Sequence, residues 1–394
     1  MAAAAAAPGA GPASTSAPRT AIGSAAGLAA GGAVPGYAPP RPTRELTVRS
    51  ADGIRLFAEV YGDEADPAVV LVHGWTCSTA FWAPVVRELT AHGLRVVAYD
   101  QRGHGRSGTG TPYAYSPAVL ADDLCAVLDA ALHPGERAVV GGHSMGAATL
   151  VAAAGRRQLT ERGAALLLCG AGVRSLAARA RVLPLRSPRI RIPAQRLVLR
   201  SRAPLPPAAR LTRRALARGA MGPAAGREQI DLAARLVRAC PRWVRAGWGA
   251  VLDELDLAAK VPHLTMPTAV VAGTADLLTP PVHAREIARA LPDCRDLHEW
   301  RGIGHMTPLE RPEAVADVLR GLARDHLPHP DTRNGGRTVP ATAADGAAVP
   351  AQHPAEAAQD WADPAREPAQ AAQHPAEVRA AGPTAETADG EETL

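Results

Sequence analysis

Five short, continuous apolar runs punctuate the middle of the chain, at 68–72, 95–99, 137–140, 165–169 and 268–272. Each is too short for a helix of ordinary length and lacks the alternation of a strand with one wet face. Strands of this kind are buried on both sides, which occurs when a parallel sheet is sandwiched between helices. Helix-type stretches at 79–92, 117–132, 145–158, 281–291 and 308–325 fall between or after the runs. Two alternating segments, 46–49 and 55–61, flank an Asp52-Gly53 turn and predict a hairpin. A shorter strand candidate covers 296–300. Together these predict an α/β fold: a doubly wound, mostly parallel eight-stranded sheet with an antiparallel start and right-handed crossovers.

One segment breaks the alternation, at roughly 174–260. Between Arg174 and Arg245 there are 18 arginines and two acids, Glu228 and Asp231, a local balance of +16. The whole chain carries only +5, so the remainder stands at −11. Helical pieces here lie between proline-rich breaks, which predicts an inserted helical lid. Arginine supplies nearly all the basic charge, Lys260 being the one lysine, so part of the excess reflects composition. A net +5 is too small to argue for nucleic acid. The lid is instead a candidate contact for an anionic substrate or an anionic membrane surface.

The ends differ from the middle. Residues 1–43 are rich in Ala, Gly, Pro and Ser, and 328–394 in Pro, Ala, Gln and acids. Such compositions bury too little apolar surface to offset the entropy of ordering, so both are expected to be disordered. Five scattered cysteines, odd in number and without metal-type spacing, fit reduced thiols and a cytoplasmic chain. Secretion is the alternative, because 21–34 faintly resembles a signal-peptide apolar region without a basic start.

The run 137–140 leads into Gly141-Gly-His-Ser-Met-Gly146, and a helix of small residues follows at once. A turn this tight forces its central residue into strained backbone geometry and lifts the Ser144 hydroxyl clear of the sheet. A serine hydroxyl needs a base, and the base an orienting acid. Asp276 follows the strand 268–272, and His305 follows the candidate at 296–300. Both fall at carboxyl ends of strands, where doubly wound sheets place their sites. Asp293 and Asp296 are competitors for the acid. The oxyanion donors expected are the backbone N–H groups of Met145, directly after the serine, and of Trp75 in His73-Gly74-Trp75. Ordinary alternatives exist for each: a turn serine, a loop histidine, a helix-capping aspartate.

The order Ser144, Asp276, His305, the His73-Gly-Trp75 loop and the Tyr99-Asp-Gln-Arg-Gly-His-Gly-Arg-Ser107 motif together resemble the α/β-hydrolase superfamily over about 44–327. The likeness is nearest to its esterase, non-haem chloroperoxidase and lactonase group. It implies a Ser-His-Asp triad, a covalent acyl-enzyme, a small acyl or ester substrate and no cofactor or metal. Perhydrolysis, lactone opening and acyl transfer would use the same triad. A non-catalytic ligand-binding module is the remaining alternative, and it predicts a missing triad member. Phe81, Trp82, Trp243 and Trp248 are candidates to line the pocket, although large aromatics are commonly core. His73 is expected to brace the oxyanion loop, and Asp100 and His104 to make local turn hydrogen bonds.

Overall fold

The computed structural model describes residues 37, 38, 40–111, 114–204 and 209–328. The predicted leader and tail therefore lie outside the described residues, except for 37, 38, 40–43 and 328.

Eight strands form one sheet: β1 (Arg44–Arg49), β2 (Arg55–Tyr61), β3 (Ala68–Val72), β4 (Arg95–Asp100), β5 (Ala138–His143), β6 (Gly163–Cys169), β7 (Thr268–Gly273) and β8 (Cys294–Trp300). Their spatial order is β1-β2-β4-β3-β5-β6-β7-β8. The β1–β2 hairpin is antiparallel, with Gly53 at φ +82° in its turn, and β2 pairs antiparallel with β4. From β4 to β8 every pairing is parallel. Each strand from β3 to β7 is buried end to end, as the continuous apolar runs require. Alternate side chains feed two cores: Val70, Val72, Val97 and Val140 on one face, Val69, Leu71, Val96 and Val139 on the other.

The helices, in chain order, are α1 (Ala83–Ala91), α2 (Pro117–Ala131), α3 (Met145–Ala152), α4 (Arg157–Arg162), α5 (Leu176–Arg179), α6 (Pro188–Leu199), α7 (Ala209–Gly219), α8 (Arg227–Ala239), α9 (Arg242–Asp253), α10 (Val282–Ala290), α11 (Thr307–Glu310) and α12 (Pro312–His326). Helices α2, α3 and α10 cover one face of the sheet, α1 and α12 the other. Among the described residues no helix is long and apolar enough to cross a membrane.

Two predicted helices are each split. The stretch 145–158 ends at Ala152 and resumes as α4 at Arg157, because Gly155 takes φ +78° between them. The last stretch is broken ahead of Pro312, whose ring excludes the helical region for Arg311, held at φ −140°, ψ 61°. Helices α5 to α9 all lie between β6 and β7, in the segment where the sequence predicts an insertion.

Chain direction in the sheet reverses at β3. The chain moves from β3 outward to β4, then crosses back to β5 on the other side. Loops leaving β3 and β5 thus diverge and open a crevice at their carboxyl ends. Beside it, the loop after β4 is held by Asp100. Its carboxylate accepts the Thr79 N–H at 2.7 Å and the Arg106 N–H at 2.8 Å. Gly105, at φ +51°, passes so close that a Cβ there would meet Asp100 Oδ2 at 2.1 Å.

Burial raises the Asp100 carboxyl from 3.8 to about 6, against the lowering effect of those two N–H donors. The folded state then binds the proton more tightly than the unfolded chain, so this group's contribution to stability falls as pH rises from about 4 to about 6. Wild type should lose roughly 3 kcal/mol relative to Asp100→Asn across that window and nothing further above about pH 7. Urea unfolding of both proteins across pH checks this; parallel curves would contradict it.

Candidate active site

Ser144 stands at the junction of β5 and α3 with φ 53° and ψ −112°, outside every region favoured by a residue bearing a side chain. The bend is held by contacts that admit only glycine on either side. A Cβ on Gly142 would lie 2.6 Å from the Gly146 carbonyl, and one on Gly146 would lie 2.1 Å from Val72 O. The helix start is thereby pressed against the end of β3. Ser144 N–H donates to Cys169 O at 2.8 Å, which ties the elbow to the end of β6. The Ser144 side chain is partly exposed amid buried neighbours.

Gly74 brings the loop after β3 to the same point: a Cβ there would meet His143 Nδ1 at 2.7 Å and Ser144 Cβ at 3.2 Å. The loop is braced from beneath. His73 Nε2 accepts the Gln101 N–H at 3.0 Å, so its proton resides on Nδ1, which donates to Gly74 O at 2.8 Å. The Gln101 side chain donates to His73 O and accepts from Thr149 on α3. Burial pushes His73 down to about 3, so the brace stays neutral. His104, lowered by burial to about 4, accepts the Thr76 N–H at 3.2 Å. Among the described residues the N–H groups of Trp75 and Met145 have no hydrogen-bond partner. Two unengaged donors beside a lifted hydroxyl are what an oxyanion site requires.

Asp276 and His305 meet. Nδ1 of His305 lies 2.8 Å from Asp276 Oδ2, with both side chains buried. An ionised carboxylate only accepts, so the proton sits on Nδ1 and Nε2 is left with a free lone pair. Asp276 Oδ1 accepts the N–H groups of Leu278 and Thr279, both at 2.8 Å, so it caps the turn before α10 and orients the imidazole at once. The His305 ring rests on Gly170, where a Cβ would stand 3.3 Å from Nδ1. Gly170 directly follows Cys169, the residue bonded to Ser144 N–H. The ring of His143 lies 4.9 Å from that of His305, and His143 Nε2 donates to His305 O at 2.9 Å. Burial, then the neighbouring His305, holds His143 well below the usual histidine range. The hydroxyl of Ser144 makes no hydrogen bond among the described residues, and neither does His305 Nε2.

Sequence reasoning missed two residues here. Thr279 Oγ1 lies 2.8 Å from Asp276 Oδ2, 2.9 Å from Gly170 O and 3.1 Å from His305 Nδ1. Its one proton goes to an acceptor while its lone pair helps hold the Nδ1 proton. The Asp276-Leu-Leu-Thr279 spacing of a capping turn was the available signal. Glu310 carried none. Its carboxylate, raised by burial, accepts the Gly304 N–H at 3.0 Å beside His305 and the Gly222 N–H at 2.8 Å in the insertion. Ala220 O accepts the His305 N–H at 2.8 Å. The insertion is therefore docked on the histidine loop.

Of the four aromatics expected along a pocket, Phe81, Trp82 and Trp248 are wholly inaccessible. Phe81 packs its ring 4.6 Å from that of His143 and lies edge-on to Trp82. Trp248 stacks on Tyr115 at 4.3 Å and donates to Arg102 O. Trp243 lies on the surface, 39% exposed. Trp75 instead contacts the insertion, donating from Nε1 to Arg245 O at 3.0 Å. Asp293 and Asp296 sit at the start of β8 and pair with neither His305 nor Ser144; Asp293 bonds Arg295. Among the described residues no group of three or more His, Cys, Asp or Glu could hold a metal ion.

The profile of the family described as serine aminopeptidase, S33, matches residues 63–312. A thermophilic esterase from Thermogutta terrifontis superposes with TM-score 0.58 at 25% identity, over 72% of this chain and 100% of the esterase. The enol-lactonase of Burkholderia xenovorans superposes with TM-score 0.56 at 26% identity, over 71% of this chain and 100% of the lactonase. Among curated proteins, the probable oxidoreductase EphD of Mycobacterium tuberculosis is 44% identical over 100 residues, 25% of this chain. The chain spans only 17% of that relative's length.

If Thr279 holds the imidazole, Thr279→Val should lower kcat about tenfold, the worth of one hydrogen bond to a charged group, with KM little changed. Thr279→Ser should restore most of it. Steady-state kinetics of the two variants test this; full activity in Thr279→Val with loss in Thr279→Ser would assign Thr279 to packing alone.

Proposed function

The chain belongs to the hydrolase family described as serine aminopeptidase, S33, an enzyme of the α/β-hydrolase fold, and on that premise we propose that it cleaves carboxylic esters through an acyl-enzyme on Ser144. The observation that carries this reading is the convergence at Gly170. The strained serine is bonded to the residue before it, and the His305–Asp276 pair, 2.8 Å apart, rests upon it.

In the proposed reaction His305 Nε2 takes the Ser144 proton as Oγ attacks the ester carbonyl. The hydroxyl must come within bonding reach of Nε2 when substrate is bound. Charge that develops on the carbonyl oxygen is met by the Met145 and Trp75 N–H groups. Collapse of the tetrahedral species breaks the carbon–oxygen bond to the alcohol, which leaves with the proton held on Nε2. Water then enters, His305 removes its proton, and attack on the acyl carbon releases the acid and restores Ser144. Asp276, fixed by Leu278, Thr279 and the imidazole, stays ionised and stabilises the imidazolium formed in each half. A lactone is an internal ester, so the same steps open a ring without releasing an alcohol. The likeness to an enol-lactonase makes lactones the second substrate class to test.

Helices α5–α9 would act as the lid of this site, since they meet Trp75 through Arg245 O and His305 through Ala220 O.

Ser144→Ala should lower turnover of p-nitrophenyl acetate by about 10⁴–10⁶-fold with unfolding behaviour preserved. A panel from acetate to palmitate, run beside a lactone and beside peroxide as competing nucleophile, reads the acyl preference and the acceptor. Undiminished hydrolysis in Ser144→Ala would contradict the assignment. Peracid as the main product in the presence of peroxide would move it to perhydrolysis.

A further inference from the structure

Eight large apolar side chains are exposed among the described residues, and six of them, Leu185, Ile190, Leu197, Val198, Leu211 and Trp243, lie in the insertion. Composition accounts for arginines there, but not for bulky aliphatic groups turned outward. Three of the six belong to α6, with the sequence Pro-Arg-Ile-Arg-Ile-Pro-Ala-Gln-Arg-Leu-Val-Leu. Ile190 is 62% exposed, Leu197 73% and Val198 58%. At 3.6 residues per turn, Ile190, Ala194 and Leu197 form one line along the helix, with Pro193 on one side of it and Val198 on the other. This apolar arc faces away from the protein.

The opposite side holds α6 in place. Gln195 is buried and donates to Ala177 O at 2.6 Å. Leu199 O lies where a Cβ on Gly249 would stand 2.0 Å away, so α6 rests hard against α9. Arginines border the outward arc along one edge, at Arg189, Arg196 and Arg200, whereas Arg191 on the other edge turns inward and donates to Ala178 O at 3.5 Å. Arg196 and Arg200 are tethered to Asp253, at 3.2 and 2.8 Å. Arg186 and Arg189, in contrast, have no acidic partner among the described residues. No acid occurs anywhere from Arg174 to Arg227.

A helix with one face anchored, the other apolar and solvent-facing, and exposed arginines along its margin has the build of an interfacial element. The apolar arc enters the acyl boundary while guanidinium groups reach lipid phosphates at its edges. We propose that α6 is a docking face for an anionic phospholipid surface. The excess of +16 between Arg174 and Arg245 supplies the charge complementarity, and each arginine near such a surface adds to the attraction. A protein partner's acidic groove would match the charge but gives no reason for Ile190, Leu197 and Val198 to stand in water. The layer beneath α6 is α9, whose Arg245 O holds Trp75, so α9 joins the docked helix to the loop after β3.

The test is sedimentation of the full chain with vesicles of phosphatidylcholine, alone or mixed equally with phosphatidylglycerol. Binding is read as protein in the pellet, whatever the enzyme's activity, so failure of the proposed chemistry does not touch it. Wild type should pellet with mixed vesicles and stay in solution with phosphatidylcholine alone. Ile190→Ser with Leu197→Ser should weaken binding at least about tenfold while p-nitrophenyl acetate turnover is unchanged. Arg186→Gln with Arg189→Gln should weaken it too and reduce its sensitivity to salt. The proposal is overturned if wild type fails to bind mixed vesicles, or if the aliphatic double variant binds as well as wild type. A wild-type dimer in solution that the aliphatic variant dissociates would also overturn it, by assigning α6 to a second copy of the chain.

Discussion

The site depends on how closely β3, β5 and α3 approach one another. Gly146 has its Cα against Val72 O, and Gly142 against the Gly146 carbonyl, at separations that exclude any side chain. That contact compresses the strand-to-helix turn until Ser144 is driven to φ 53°. Strain of this order persists only where surrounding structure over-determines it. Here the anchors are the bond from Ser144 N–H to Cys169 O and the burial of every residue of α3. The hydroxyl's position is therefore set by backbone packing. The same compression brings Gly74 against Ser144.

A second constraint joins the insertion to the His305 loop. Ala220 O receives the His305 N–H, and Glu310 holds Gly222 and Gly304 with one carboxylate. Gly304 could carry no side chain, because a Cβ would lie 2.4 Å from Gly222 N. Any displacement of helices α7 and α8 must pass through these contacts before it can leave His305 undisturbed. The insertion is thus a structural support of the histidine.

Much of this was legible in the sequence because the relevant signals are local. Continuous apolar runs identify the five doubly buried strands, β3 to β7, and alternation around Asp52-Gly53 marks β1 and β2. The Gly-x-Ser-x-Gly string encodes its own strain, and Ser144, Asp276 and His305 each close a strand at the same end of the sheet. Harder to read were groups defined by long-range packing. Glu310 is an unremarkable acid in sequence, and only the fold sets it between residues 222 and 304. Thr279 required knowing that the turn after Asp276 folds back beneath the imidazole. The aromatics show the same limit in reverse: Phe81, Trp82 and Trp248 are core, and no periodicity distinguishes a ring behind the site from one that lines it. Apolar periodicity runs on through Gly155 and Arg311, whose backbones leave the helix, so the sequence does not mark those two breaks.

The central claim is that Ser144 is a nucleophile activated by His305. The most direct measurement is the mass of the Ser144 peptide after exposure to a fluorophosphonate, whose phosphorus is attacked by an activated serine as fluoride leaves. A single phosphonyl adduct on Ser144, abolished when His305 is changed to Ala, is the result predicted. An adduct on another residue, or labelling of Ser144 at an equal rate in His305→Ala, would contradict the account.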